Sequence, residues 1–301
     1  MSIQLALATD ADHPGIHPDD AHFAATLAGL GVHATPCVWN DPAVDWSRHD
    51  AVLIRTVWDY FKHHAQFLHW LDRLDALGVP TINDSRLLRW NSDKRYLAQL
   101  EALGVPAIPT RFVAHAGLGA ALAAAEGRDM VVKPSVSGGA WRTVRGTVGD
   151  PAFGQAVREL PPGDYLLQPF VPAVVEQGEW SLLFFGGTFS HAVVKRPARG
   201  DYRVQNEHGG RTEAAEPETA TLAAARQVLA TCASLDLGEA VYARVDGVVA
   251  DGRFLLMELE LIEPSLFLAG RPDAAERLAH LVAARLAALR RTNAPRTLER
   301  S

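Results

Sequence analysis

Apolar positions along the first eighty residues change period three times. Ile3 to Thr9 reads as a strand, and "DDAHFAATLAGLG" then places Phe23, Leu27 and Leu30 at helical spacing with Gly31 as its stop. A second strand follows. "DAVLIRT" is a short unbroken apolar run of the buried-strand type, and "HAQFLHWLDRLDALG" puts Leu68, Leu71 and Leu74 on a helix that ends at Gly78. Strands alternating with helices predict a small α/β lobe over residues 1–84.

The pattern changes at Ser85 to shorter helices and hairpins. Ser92 is placed to cap a helix from Asp93 to Leu103, with Lys94 in its first turn. Strands are predicted at Met130 to Lys133 and Tyr165 to Gln168, around a Gly loop and a short helix near Phe153 to Glu159. Glu179 to Phe185 and Thr188 to Lys195 read as a hairpin turning on Gly186-Gly187. An Ala-rich helix from Glu218 to Leu235 precedes a second hairpin, "VYARVDGVVADGRFLLMELE", and a helix from Ala274 to Leu289 closes the pattern. The polar tail "RRTNAPRTLERS" is expected to fray. "LGVP", at Leu77 to Pro80 and again at Leu103 to Pro106, is reused punctuation between helix and extended segment, not a repeat domain.

Composition narrows the function classes. A chain of 301 residues, 48% hydrophobic, can bury sizeable cores in two or three lobes, and a net charge of −6 provides no basic field for nucleic acid or an anionic membrane. The opening "MSIQLALATD" lacks a basic leader, and no apolar run approaches a membrane span. Cys37 and Cys232 have no metal or disulfide spacing, which fits a reducing cytoplasm. The expected partner is a small molecule; self-association is left open.

Two stretches carry candidate chemistry. In "VVKPSVSGGA" Lys133 precedes the glycines and Pro134 follows it, whereas a Walker A lysine follows the glycines and opens a helix; this is another phosphate grip or a turn. In the last hairpin, Glu258 and Glu260 share a face, and Asp246 joins them only in one register. A two-residue Asp251-Gly252 turn pairs Asp246 with Met257 and separates the carboxylates. A three-residue loop, Ala250 to Gly252, with Gly252 at positive φ and a bulge, brings them together and is the expected arrangement. Such an oxygen-only cluster suits Mg²⁺. The bland alternative is a solvated polar face, against which stands the apolar character of "LLMELELIEP".

Lys94, "VVKPSVSGGA", "LLQPFVPAVVEQGEWSL", "KRPARGDYRVQNEHGG" and "ARVDGVVADGRFLLMELELIEP" occur in the order found in the ATP-grasp ligases, and the stretch from Ser85 to Leu289 resembles their glutathione-synthetase type. The resemblance implies an α/β and α+β architecture: an N-terminal α/β lobe (1–84), a central lobe (85–168) and a C-terminal catalytic lobe (169–301), the last two clasping ATP. By the same resemblance Lys94 and Lys133 contact phosphates, and the Ser135, Ser137, Gly138, Gly139 loop closes over them with backbone N–H groups. Gln168, Phe170 and Val171 form the adenine hinge, and Glu179 binds the ribose. Lys195 and Arg203, with Gly209 and Gly210, hold the transferred phosphate and substrate, while Asp246, Glu258 and Glu260 hold Mg²⁺. Arg244, two residues before Asp246, serves the phosphate or pairs with a carboxylate. Two departures stand out: Pro169 where an acidic hinge residue is common, and Glu260 where relatives often have Asn.

The implied chemistry is attack of a substrate carboxylate on the γ-phosphate, then displacement of phosphate from the acyl phosphate by a nitrogen nucleophile. Specificity is expected from the N-terminal lobe, where Asp10, Asp12, Arg55, Trp58, Asp59 and Tyr60 are candidates; they read equally as ordinary loop polars. His191 and His208 flank the substrate loops as candidate proton shuttles, and "KHH" at Lys62 to His64 reads as a solvated helix start. "WNSDKRYL", "GEWSLLFFGGTFSHAVVKRP", "VQNEHGG" and "MELELIEPSLFL" resemble the branch containing D-cycloserine synthetase, which closes O-ureido-D-serine into an isoxazolidinone ring. The alternatives are an intermolecular amino-acid or peptide ligase and, more remotely, an ATP-binding regulator without catalysis.

Overall fold

The alternation of the first eighty residues builds a three-stranded parallel sheet in the computed structural model, which describes residues 2–204 and 208–293. Strand β1 (Ile3–Thr9) lies between β2 (Val32–Val38) and β3 (Ala51–Thr56). Parallel neighbours need a crossover, and helix α1 (Ala21–Gly29) supplies it between β1 and β2, burying Phe23 and Leu27. Leu30, expected on that face, falls past the helix end and is exposed. Helix α2 (His64–Leu77) buries Phe67, Trp70, Leu71 and Leu74 and closes on Gly78 in the left-handed conformation, φ 68°.

Ser92 does not open a helix. It ends α3 (Ser85–Asn91), its hydroxyl donating to the Arg89 carbonyl at 2.8 Å, and α4 (Tyr96–Ala102) begins only after a turn that carries Lys94. Leu87, Tyr96, Leu97 and Leu100 of this pair share a core with Val245, Leu256 and Leu259 further along the chain. Two buried asparagines fasten the connection. Asn83 donates to the carbonyls of Tyr242 and Leu261, and Asn91 donates to that of Leu259, each at 2.7–2.9 Å.

The next sheet is antiparallel, in the order β4-β7-β5-β6, from β4 (Arg111–Ala114), β5 (Asp129–Pro134), β6 (Val144–Thr147) and β7 (Asp164–Pro169). Helices α5 (Leu118–Ala123) and α6 (Pro151–Arg158) supply Leu118, Leu122, Phe153 and Val157 to its core. The two edge strands have four residues each, too few to show a period, and were not anticipated.

After the short α7 (Ala173–Glu176), a five-stranded antiparallel sheet runs β10-β9-β8-β11-β12. Its strands are β8 (Glu179–Phe185), β9 (Thr188–Arg196), β10 (Arg211–Ala215), β11 (Tyr242–Ala250) and β12 (Arg253–Glu260), with α8 (Thr219–Ala233) between β10 and β11. Gly186 and Gly187, both at positive φ, turn the first hairpin as expected. The final helix, α9 (Pro272–Asn293), returns to the beginning of the chain, where its Leu278, Val282 and Leu286 join Leu5, Phe23, Leu27 and Leu53 in one core. The expected frayed end at residues 294–301 lies outside the described residues, as do Gln205, Asn206 and Glu207. No helix among the described residues is long and apolar enough to cross a membrane.

The second hairpin departs from expectation at its turn. Ala250 pairs with Arg253, so the loop has two residues, Asp251 at φ 50° and Gly252 at φ 71°, both left-handed as a type I′ turn requires. Convergence of the carboxylates is restored further down. Between Asp246 and Gly247 the register shifts, so that Gly247 pairs with Leu256 while Asp246 pairs with Glu258 and Arg244 with Glu260. Met257 is the extra residue of this bulge. Gly247 is required there: a Cβ would lie 2.4 Å from the Phe254 ring and 2.5 Å from the Leu255 carbonyl oxygen. Gly247→Ala is therefore predicted to cost about 1–3 kcal/mol, read from urea denaturation; an unchanged midpoint would refute this account of the bulge.

Candidate active site

The bulge sets a charged lattice on one face of four adjacent strands. Glu179 on β8 faces Lys195 on β9, Ser181 on β8 faces Asp246 on β11, and Asp246 and Arg244 face Glu258 and Glu260 on β12. Lys195 Nζ lies 2.6 Å from Glu179 and 3.2 Å from Asp246, and Arg244 Nη2 lies 2.9 Å from Asp246 and also pairs with Glu260. Ser181 Oγ donates to Asp246 Oδ1 at 2.6 Å. Burial would raise the Asp246 carboxyl, but the Arg244 guanidinium and the Lys195 ammonium outweigh it and hold it at about 2. Glu260 goes the other way: burial, with Asp246 and Glu258 close by, outweighs Arg244 and pushes it up to about 7.

All of these groups except Ser181 lie along a cleft of about 890 Å³. Above Glu258 stand two ammonium groups. Lys94 Nζ pairs with Glu258 Oε1 at 2.9 Å and donates to the Ser137 carbonyl, while its backbone N–H donates to the Ser135 carbonyl at 2.8 Å. Lys133, at the end of β5, forms no ion pair among the described residues; burial lowers its affinity for a proton and neighbouring Lys94 adds to this, with Glu258 opposing. An ammonium group without an ion pair on the cleft wall favours an anionic ligand. Beside it runs an apolar slot lined by Ile108, Val131, Val171, Val174, Met257 and Leu259. Gln168 lines the slot and donates its amide to Thr110 Oγ1 at 2.8 Å, and the Phe170 ring lies against the Arg145 guanidinium, 3.3 Å away.

The family described as D-cycloserine synthetase DcsG, N-terminal domain, matches residues 5–83. A D-alanine–D-alanine ligase of Bacillus anthracis solved with ATP shares the fold, with a TM-score of 0.65 at 16% identity over 97% of this chain and 99% of that one. The cycloserine biosynthesis protein DcsG of Streptomyces lavendulae is 38% identical over 299 residues, covering 94% of this chain and 98% of its own. This chain belongs to the D-cycloserine synthetase family. The crystal structure of D-cycloserine synthetase DcsG matches with a TM-score of 0.82 at 36% identity, over 94% of this chain and 99% of that one. As a member of that family the chain is an ATP-dependent ligase with the ATP-grasp fold, as the order of its motifs implied.

Several expected site residues of this family member stand elsewhere. Arg55 is buried against Asp20, with both carboxylate oxygens within 3.0–3.2 Å of its guanidinium, and does not line the cleft. All six β3 residues are buried, so a cation at its end needs an internal counter-charge. Asp59 accepts from the Trp39 indole at 2.7 Å, Asp12 is exposed, and neither is on the cleft wall; nor is Asp10, which is buried against His13. Trp58 and Tyr60 do line it. Ser135 roots the Gly loop, its N–H donating to the Asp164 carbonyl and its hydroxyl directed to Asp93, and leaves the cleft to Ser137, Gly138 and Gly139. Arg203 lines the cleft while paired with Asp201 at 2.8 Å; Gly209 and Gly210 do not, although His208 does. Both oxygens of Asp246 are engaged by protein donors, and among the described residues no three His, Cys, Asp or Glu form a metal cage.

The sequence reading missed His13, Phe61, Trp141, Arg142, Glu263 and Phe267, all on the cleft. Phe61 explains Gly138, where a Cβ would come within 2.8 Å of its ring. Glu263, pushed well above the usual carboxylate range by burial and by Glu260, follows the strand at an off-period position. Its place in "ELIEP" was the available signal.

His191 is not on the cleft. Its ring is buried, with Nε2 3.0 Å from the Leu266 carbonyl, and burial together with Arg271 lowers its pKa to about 4. A depressed folded value means that its contribution to stability is present above about 6.5 and is lost as pH falls toward 4. His191→Gln is expected to flatten the loss of stability over that window, measured as urea midpoint against pH. An unaltered acid limb would contradict the assignment.

Proposed function

We propose that this ligase converts O-ureido-D-serine to D-cycloserine with ATP. The reading is supported above all by the two ammonium groups near Glu258, Lys94 paired with it and Lys133 without an ion pair among the described residues, beside an apolar slot in a chain akin to D-cycloserine synthetase along nearly its whole length. Adenine occupies the slot near Gln168 and Val171, Glu179 receives the ribose, and the phosphates run past Lys133 and the backbone of Ser137, Gly138 and Gly139 toward Lys195 and Arg244. The substrate carboxylate attacks the γ-phosphate to give an acyl phosphate, and the ureido nitrogen attached to oxygen closes the ring with release of phosphate. The carbamoyl group must also leave, either as isocyanic acid or, with one water, as carbon dioxide and ammonia. Carboxylate and nucleophile belong to one molecule, so holding them in attack geometry makes the second step intramolecular.

Mg²⁺ fits the oxygen donors of Glu258 and Glu260, whose Oε1 atoms pair with Lys94 and Arg244. Bound there, the ion supplies charge neutralisation at the phosphoryl oxygens. Asp246 anchors the cations of the cleft.

Lys133→Met is predicted to leave the fold intact, weaken ATP binding by at least about tenfold (roughly 1.4 kcal/mol) and abolish turnover. Calorimetric titration giving wild-type ATP affinity would remove Lys133 from the phosphate site. With O-ureido-D-serine and Mg-ATP alone, the wild-type protein is predicted to form D-cycloserine, ADP and phosphate. A strict requirement for a separate amine, with a linear amide in the mass spectrum, would replace cyclisation by intermolecular ligation.

A further inference from the structure

At the mouth of the cleft, β1 runs into "TDADHP", and there a carboxylate and an imidazole are locked together. Asp10 is 3% exposed and its Oδ1 receives both the His13 backbone N–H, at 2.8 Å, and the His13 ring at Nδ1, 2.7 Å. Its own N–H donates to the Thr56 carbonyl at 2.9 Å, tying the pair to the end of β3. Trp58 holds the ring from the side: its centroid is 4.7 Å from His13 and 5.1 Å from His17, and its indole N–H donates to the Glu263 carbonyl at 3.1 Å. A carboxylate only accepts, so Nδ1 carries the hydrogen, and in the neutral ring Nε2 is left as an acceptor. The His13 side chain is 39% exposed and lines the cleft that also contains Lys94, Lys133 and Glu258.

We propose that His13 is the general base of ring closure, oriented by Asp10. The inference rests on the cyclisation reading. In O-ureido-D-serine the attacking nitrogen carries a carbonyl substituent that withdraws its lone pair, so it needs to lose its proton as it attacks. Within the cleft Glu179, Asp246, Glu258 and Glu260 are all committed to lysine or arginine; Glu263 and His208 also line it, and His13 differs from both in having a buried carboxylate that orients its ring. His13 faces the cleft with an acceptor nitrogen and no cation partner of its own among the described residues. The N–H proton passes to Nε2 as the nitrogen–carbon bond forms and the bond from carbonyl carbon to the phosphate oxygen breaks. Phosphate leaves with the electron pair, and solvent later takes the proton from His13. Asp10 is a positioning residue, since it reaches the substrate only through the ring it orients.

The test separates activation from closure. Wild type, His13→Gln, His13→Ala and Asp10→Asn, each checked for its melting temperature and ATP affinity, are supplied with O-ureido-D-serine, Mg-ATP and hydroxylamine. His13→Gln is expected to slow ring formation by about 10²–10⁴-fold, the usual contribution of a positioned base, while still forming acyl phosphate that hydroxylamine captures as hydroxamate. Imidazole added to His13→Ala is expected to recover ring formation, a response that a structural role would not produce. Asp10→Asn also slows closure, because an amide can donate to Nδ1 and select the other tautomer. If the His13 substitutions do not fold, the closure rate of Asp10→Asn decides. Equal closure rates in wild type and variants, with ring product from both, overturn the dyad alone. Absence of ring product from the wild type overturns cyclisation itself.

Discussion

Asp246 is the point at which the charges of the cleft meet. Arg244 on its own strand, Ser181 on one neighbour and Lys195 one strand further out all donate to its two oxygens. A carboxylate buried to this degree is stable only with such partners, and the cations need it equally: removing one member of a buried ion pair leaves an uncompensated charge costing about 3–5 kcal/mol. The lattice exists because the bulge after Asp246 turns it to the same face as Glu258 and Glu260. Slipping β12 by one residue would send Glu258 and Glu260 to the opposite side of the sheet from Arg244 and Asp246.

Strand-end charges are used differently in the two halves of the molecule. In the five-stranded sheet they line the cleft, where the ammonium groups of Lys94 and Lys133 lie close to a single carboxylate and favour an anionic ligand. In the parallel sheet the same kind of residue divides between interior and mouth. Arg55 is neutralised by Asp20 within the core, while Asp10 orients His13 toward the opening. The aromatic contact between Phe61 and Gly138, and the Trp58–Glu263 hydrogen bond, bring the N-terminal layer against both the Gly loop and the end of β12. Activation and closure of a small substrate can then take place in one enclosure.

Much of this was legible in the amino-acid sequence. The apolar periods located β1, α1, β3, α2, both hairpins of the large sheet and α9, since each is long enough to show its repeat. Lys94, Lys133 and the carboxylates of the last hairpin were found because their residue types stand at the ends of such elements, in an order typical of ATP-grasp ligases. The turn of that hairpin was misjudged and its convergence was not: a two-residue turn followed by a bulge gives the same facing as the expected three-residue loop. Edge strands of four residues, and a helix start assigned to Ser92, were beyond what local pattern resolves.

By itself the sequence determined the types of element, the order of the phosphate and carboxylate motifs and the ligase family, because hydrophobic period and motif spacing are properties of neighbouring residues. Only tertiary structure decided which charges face the cleft. Arg55 and Lys133 both end apolar strands, and nothing local distinguishes them; Arg55 meets Asp20, thirty-five positions away, whereas Lys133 lines the cleft near Glu258 and Lys94 with no ion pair among the described residues. The pairing of Asp10 with His13 is short-range in the chain, yet its direction toward the cleft depends on Trp58 and on the end of β3. A side chain's partner and its exposure are set by elements that pack against it from elsewhere in the chain, so function at these positions became readable only once the sheets were stacked.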